Sequence, residues 1–409
     1  MAQPTLPGMF LDRPASPATD EDWFKLDIAA TDLFSPHAPV DAEELFSGRS
    51  DLLDRMIEVV FQRGLHGILY GERGVGKTSL THILRDKVFR GVPSTQFVRR
   101  QCTAEHDFAM IWRHVFDEFT IDGQSADRDI ANDVNAYDIV KLFESFPANW
   151  RPVIIIDEFD RVRDADTARK MSDTIKYLAD TSSNATILIV GVAQNVVELF
   201  GSHLSIHRNI QQIPMPLMSN SELTKIIDDR ADLLRMSVTD YVRSEIVEYS
   251  QGLPGYTHLL GQSAFRGAIA RHSLDVTTQD LGYAMRKVVA EADESVRDSY
   301  AAATRSTQTT NMYRQALLAC ALAETDEKGY FRAGAVKKPF EMIEGRTMDV
   351  FNYAQHLKEF CKQSRGPALI RVGRPNNREF RFADALLRPY TIIRGRSEGL
   401  FPDPSQQTT

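Results

Sequence analysis

Only three of the 409 residues are cysteine (Cys102, Cys320 and Cys361), an odd number without redox or zinc-type spacing. A disulfide framework is therefore excluded, and a reducing compartment fits best. Cys102 and His106 stand four apart, but a metal site needs three or four ligands and no others accompany them. No apolar run approaches the ~18 residues of a membrane span. The first residues lack a basic stretch followed by an apolar one, which excludes a secretion signal and points to the cytoplasm. Positive charge is also short. The net charge is −8, so any contact with nucleic acid must come from a local patch rather than from the molecule as a whole.

What is present is a globular composition, 43% apolar and 25% charged, in a chain long enough for two or three domains. Residues 1–40 carry Pro4, Pro7, Pro14, Pro17, Pro36 and Pro39 without sustained periodicity and read as a flexible or loosely docked arm. Leu52, Leu53, Met56, Ile57, Val60 and Phe61 then mark an amphipathic helix with Ser50 as its N-cap. Across 41–216, apolar runs at 68–70, 96–98, 153–156 and 186–190 alternate with helical stretches at 78–89, 108–119 and 167–179. This alternation predicts an α/β core, a parallel sheet between helices. From 217 to 300 the pattern is helical only, with starts at Ser219 or Asn220, Thr239, Pro254 and Thr278. Residues 301–310 read as a polar linker. In 311–396, three helices (312–323, 333–343 and 348–362) precede two short strands (368–372 and 378–382), the order of a winged helix-turn-helix. Residues 397–409 read as a tail.

Two motifs carry chemistry. Gly71-Glu72-Arg73-Gly74-Val75-Gly76-Lys77-Thr78, followed by Ser79, lies between a buried-type strand and an amphipathic helix. Gly71, Gly74 and Gly76 let the backbone turn and present N–H groups to phosphate, with Val75 and Ser79 within the same cradle. Lys77 is placed to reach the β- and γ-phosphates of ATP, and the Thr78 hydroxyl to ligate Mg²⁺. The second motif is Val153-Ile154-Ile155-Ile156-Asp157-Glu158, four apolar residues ending in two carboxylates at the carboxyl end of a strand. Asp157 is expected to hold Mg²⁺, directly or through water, and Glu158 to be the base that orients and deprotonates the attacking water. The pairing implies an ATPase (ATP and water to ADP and phosphate) rather than a nucleotide binder alone.

On these residues the chain resembles the AAA+ ATPases, in the branch of the origin-recognition-like and the signalling (STAND) ATPases. Gly71 to Thr78 corresponds to Walker A, and Asp157-Glu158-Phe159-Asp160 to Walker B. The resemblance extends over residues 41–396. It implies a helical lid at 217–300 and a winged helix at 311–396, and it makes Phe46, in Phe46-Ser47-Gly48-Arg49, a residue beside the adenine. It also implies a polar γ-phosphate sensor at Gln194, with Asn195 as the alternative, and an arginine finger at Arg208. At Gly252-Leu253-Pro254-Gly255 the chain lacks the lid arginine of the origin-type enzymes. Pro254 there resembles the proline that packs on bound nucleotide in signalling ATPases; a plain helix start is the other reading.

From 358 to 396 there are ten basic residues against three acidic, a local surplus of positive charge in an acidic protein. Arg374 and Arg378 flank the wing, where a phosphate backbone could be gripped. The third helix of this segment is mixed in charge and poor in residues suited to base edges. Two functions stay open. One is a STAND-like signalling or defence switch that passes an ATP-driven change through lid and winged helix to a protein partner. The other is a DNA-binding loader of the origin-recognition or transposition type. The loader uses ATP-dependent self-association, which is also open to the chain as a switch, and neither reading involves a membrane.

Overall fold

The computed structural model describes residues 17–36, 48–92, 94–121, 123–181, 183–193, 195–200, 209–306, 312–326, 328–374 and 378–401. These group into two compact units, one within Pro39–Glu72 and Gly76–Pro216, the other within Met1–Ala38, Arg73–Val75 and Leu217–Thr409.

The first unit is built on five strands: β1 (His66–Gly71), β2 (Thr95–Gln101), β3 (Arg151–Asp157), β4 (Thr186–Val192) and β5 (Ile210–Pro214). They form one parallel sheet in the order β2-β3-β4-β1-β5. Val153 to Ile156 and Ile187 to Val190 are at most 1% exposed, as the near-continuous apolar runs require of strands covered on both faces. Helices Ser50–Phe61, Lys77–Gly91, Phe108–Phe116, Ala136–Glu144 and Ala165–Asp180 supply the cover. A dense aromatic cluster (Trp112, Phe116, Phe119, Phe143, Phe146) anchors one side, with the Phe116 and Phe143 rings 4.9 Å apart. One cap differs from expectation: Arg49, at φ 62°, occupies the N-cap position, and Ser50 is the first helical residue. Strand β4 lies between β1 and β3, so the ends of those two strands are separated by one strand width. That spacing positions the site.

In the second unit, Asn220–Leu234, Asp240–Ser250, Pro254–Ala270 and Thr278–Glu291 form a helical group. Ser219 and Thr239 cap the first two, as the side-chain chemistry of such residues favours. Residues 17–36 depart from the expected flexible or loosely docked arm. Asp20–Leu33 is a helix opened by a capping box between Thr19 and Asp22. Leu26, Ala29, Ala30 and Leu33 repeat at helical spacing and are buried. Phe34 beyond them is 0% exposed and packs on Phe265 at 5.1 Å. Arg266 grips Asp27 with two bonds of 2.8 and 2.9 Å, and the buried Arg230 donates to the Leu33 carbonyl. The prolines of this stretch fall outside the helix, so their number concealed a proline-free run with a short apolar stripe.

The expected linker at 301–310 is likewise partly helical. Residues 301–304 complete the helix Glu294–Thr304, with Tyr300 and Ala303 buried. Then follow helix Tyr313–Leu322, strand β6 (Phe331–Arg332), helices Lys337–Glu344 and Val350–Phe360, and strands β7 (Leu369–Val372) and β8 (Glu379–Phe382). The three strands form an antiparallel sheet in the order β6-β8-β7. Leu387–Ser397 is a last helix packed on Thr278–Glu291 and Tyr313–Leu322. Among the described residues, no helix is long and apolar enough to cross a membrane.

Candidate nucleotide-binding site

Strand β1 delivers the glycine loop. A side chain at Gly71 is impossible, because its Cβ would lie 2.3 Å from the Met215 carbonyl oxygen, where the chain leaving β5 bonds to Tyr70 (2.7 Å). Gly74 (φ 84°) and Gly76 (φ 96°) are left-handed, a conformation that costs other residues energy. Gly76 is the N-cap of Lys77–Gly91, so the free N–H groups and positive end of that helix face the loop. Val75 is buried, while Thr78 and Ser79 are half-buried.

Lys77 is only 9% exposed. Its Nζ donates to the carbonyls of Gly71 (2.9 Å) and Glu72 (2.8 Å), folding the side chain back over the loop. Burial, which disfavours the charged amine, pulls its pKa down to about 8 against the opposing fields of Asp160, Asp157 and Glu72. The loop therefore holds a cation poorly supplied with counter-charge, in a place where an anionic ligand would supply it.

At the end of β3, Asp157 is 3% exposed. Its Oδ1 accepts from the Glu158 amide at 2.8 Å, and its Oδ2 accepts from the Thr78 hydroxyl at 3.4 Å. Thr78 and Asp157 thus present two oxygens to one spot, a hard-donor set that suits Mg²⁺, which binds through few protein oxygens and keeps water. Glu158 has a left-handed backbone (φ 52°), and its carboxylate is held by Arg161 at 2.7 Å. Asp160 accepts from the Val192 amide at 2.7 Å, tying the turn after β3 to the end of β4.

The structure brings Gly71, Gly76, Lys77, Thr78, Ser79, Asp157 and Glu158 to the carboxyl edge of one sheet. Pro254 belongs to the other unit, where it is the first residue of its helix after Gly252 (φ 79°) and the buried Leu253. Asn195 caps the short helix Val196–Phe200 by accepting from the Glu198 amide at 3.2 Å. Phe46, Gln194 and Arg208 lie outside the described residues. Sequence reasoning missed Arg99, on β2, whose Nε donates to Asp157 Oδ2 at 3.2 Å. The available signal was a pair of arginines, Arg99 and Arg100, in a strand whose neighbour is apolar from Pro152 up to its carboxylates.

Residues 61–200 match the family described as an AAA domain. None of the curated proteins matches the sequence. Among solved structures, a Walker-type ATPase of Pyrococcus abyssi is 16% identical over 88% of this chain and 99% of its own, with a TM-score of 0.54. The ORC1 protein of Aeropyrum pernix, solved in complex with DNA, is 14% identical over 90% of this chain and 96% of its own, at 0.49. The RuvB Holliday junction branch migration motor of Thermotoga maritima is 14% identical over 83% and 94%, at 0.41. The likeness to the Pyrococcus abyssi protein is one of fold. The AAA-domain match, the parallel sheet and the glycine loop at its edge together make residues 61–200 the heart of an AAA+ P-loop NTPase core.

Proposed function

We propose that the chain is an ATP-binding and ATP-hydrolysing switch whose nucleotide state is passed through the helical lid and winged helix to a partner. The observation that carries this reading is the meeting of Thr78 and Asp157 beside the buried Lys77, with Glu158 next in the chain. In this reading the loop amides and Lys77 bind the β- and γ-phosphates. Thr78 and Asp157 would hold Mg²⁺, which would supply positive charge for the transferred phosphoryl group. Glu158 leaves Arg161, orients a water and takes its proton. Gln194 would sense the γ-phosphate, Arg208 would reach the site of a neighbouring copy in an ATP-dependent oligomer, and Phe46 and Pro254 would flank the nucleotide. Pro254 favours a signalling ATPase that retains ADP and turns over slowly.

The test separates binding from chemistry. Lys77→Ala is expected to abolish nucleotide binding. Glu158→Gln is expected to bind ATP normally and to lose hydrolysis by at least ~10²-fold. Normal turnover in either variant rules the assignment out. A second reading, a loader acting on DNA, is favoured by the basic surplus between 358 and 396, where Arg371 and Arg374 are exposed.

A further inference from the structure

Arg99 stands where neither motif accounts for it. It pairs in register with Ile155 of β3, so residues 99, 155 and 157 share one face of the sheet. The long side chain spans the offset of two residues, about 7 Å. Its Nε and Nη2 both reach Asp157 Oδ2, at 3.2 and 2.5 Å. The oxygen they reach is the one that also accepts from Thr78. The Arg99 side chain is 34% exposed and that of Asp157 only 4%, so this is a buried carboxylate neutralised from its accessible side. The third nitrogen, Nη1, lies 3.1 Å from His82 Nε2, one helical turn beyond Thr78. Behind the guanidinium opens a cavity of about 270 Å³, lined by Thr81, His82, Arg85, Phe97, Arg100 and Glu118.

We propose that Arg99 is a displaceable counter-ion that occupies the Mg²⁺-binding oxygen of Asp157 and yields it when the metal arrives. Asp157 Oδ2 already accepts from Arg99 Nε and Nη2 and from Thr78, so a metal that binds this oxygen directly must displace these contacts. Arg99 must therefore withdraw, and the cavity gives it room, although Arg100 already holds the Glu118 carboxylate on its wall. Until it withdraws, Arg99 keeps Asp157 from repelling the phosphates, so nucleotide can enter without metal. Mg²⁺ binding in turn gains less than it would at a bare carboxylate. Arg99 is thus a positioning residue that lowers the dependence of nucleotide binding on Mg²⁺.

The inference rests on the proposed nucleotide site and is tested on the full chain by binding of a fluorescent ADP, in EDTA and in saturating Mg²⁺. The quantity read is the ratio of the two dissociation constants. Removing the charge, in Arg99→Gln and Arg99→Ala, is expected to weaken metal-free binding and strengthen Mg²⁺-dependent binding, raising the ratio about tenfold. Arg99→Lys keeps the charge and should stay closer to the wild type than to Arg99→Ala. Mn²⁺ titration followed by electron paramagnetic resonance, at saturating ADP, should show tighter metal binding in the Gln and Ala variants. An unchanged ratio, or equal weakening under both conditions as from a damaged fold, overturns the proposal. If wild-type protein binds no nucleotide under either condition, the nucleotide site itself is wrong.

Discussion

Lys77 shows how much a single residue depends on its surroundings. A loop lysine in water would stay charged to high pH; burial on the carbonyls of Gly71 and Glu72 brings this one to about 8. A phosphate beside the amine favours its charged form and raises that value. Nucleotide binding near pH 8 must then take up protons, because about half the free protein carries a neutral amine there. Affinity is expected to fall as pH rises through about 8, and calorimetry in buffers of different ionisation enthalpy should register the uptake. Affinity independent of pH across that range would show that the amine is not in contact with phosphate. The same scale separates the two carboxylates of the motif. Asp157 is buried and directed at Thr78, while Glu158 is half-exposed and held by Arg161. Adjacent in sequence, they face different partners because the left-handed backbone at Glu158 turns the chain between them.

Among the elements, four of the five core strands and most helices follow from local pattern, since apolar runs with capping residues at their ends have few other solutions. Ile210–Pro214 and Phe331–Arg332 are not among the expected strands. The helix Asp20–Leu33 was hidden for a physical reason: its apolar face is four small or medium residues, and its stability comes from what it packs against. Phe34 makes that dependence measurable. It is fully buried, touches Phe265 and His258, and fills the space that Gly261 leaves open. Phe34→Ala is expected to cost about 3–4 kcal/mol in chemical denaturation, as large-to-small changes in a core do. A loosely docked arm would instead give a change within about 0.5 kcal/mol. The end of the helix Glu294–Thr304 is a similar case, since Ala303 is buried by tertiary packing in a stretch read as a polar linker.

For the whole molecule, the relevant asymmetry is electrostatic. A net charge of −8 coexists with a C-terminal segment of ten basic and three acidic residues. Several of those cations serve the fold: Arg388 donates to the carbonyls of Ala321 and Ala323, and Arg365 to those of Ala303 and Arg305. Arg371 and Arg374 remain exposed toward solvent. If the loader reading holds, duplex DNA should bind at low salt, more tightly with ATP, with a log–log salt slope of about −2 to −4 for a few phosphate contacts. Fluorescence anisotropy across a salt series checks this, and charge reversal at Arg371 and Arg374 together should flatten the slope. No binding at about 50 mM salt would leave the signalling reading standing.

Sequence by itself determined the contiguous chemistry: the glycine loop, Lys77 and Thr78 within it, and the two carboxylates ending an apolar strand. Each is a local pattern in which neighbours in the chain are neighbours in space. It also determined the α/β core, because period-two and period-3.6 patterns alternate along it. Tertiary structure decided the pairings. Arg99 and Asp157 are 58 positions apart and meet only because β2 and β3 lie side by side in one register. Gly71 must be glycine because the chain leaving β5 crosses it, at Met215. Ion pairs and close approaches between distant segments leave no periodic trace in a sequence, so they became visible only when the sheet was assembled.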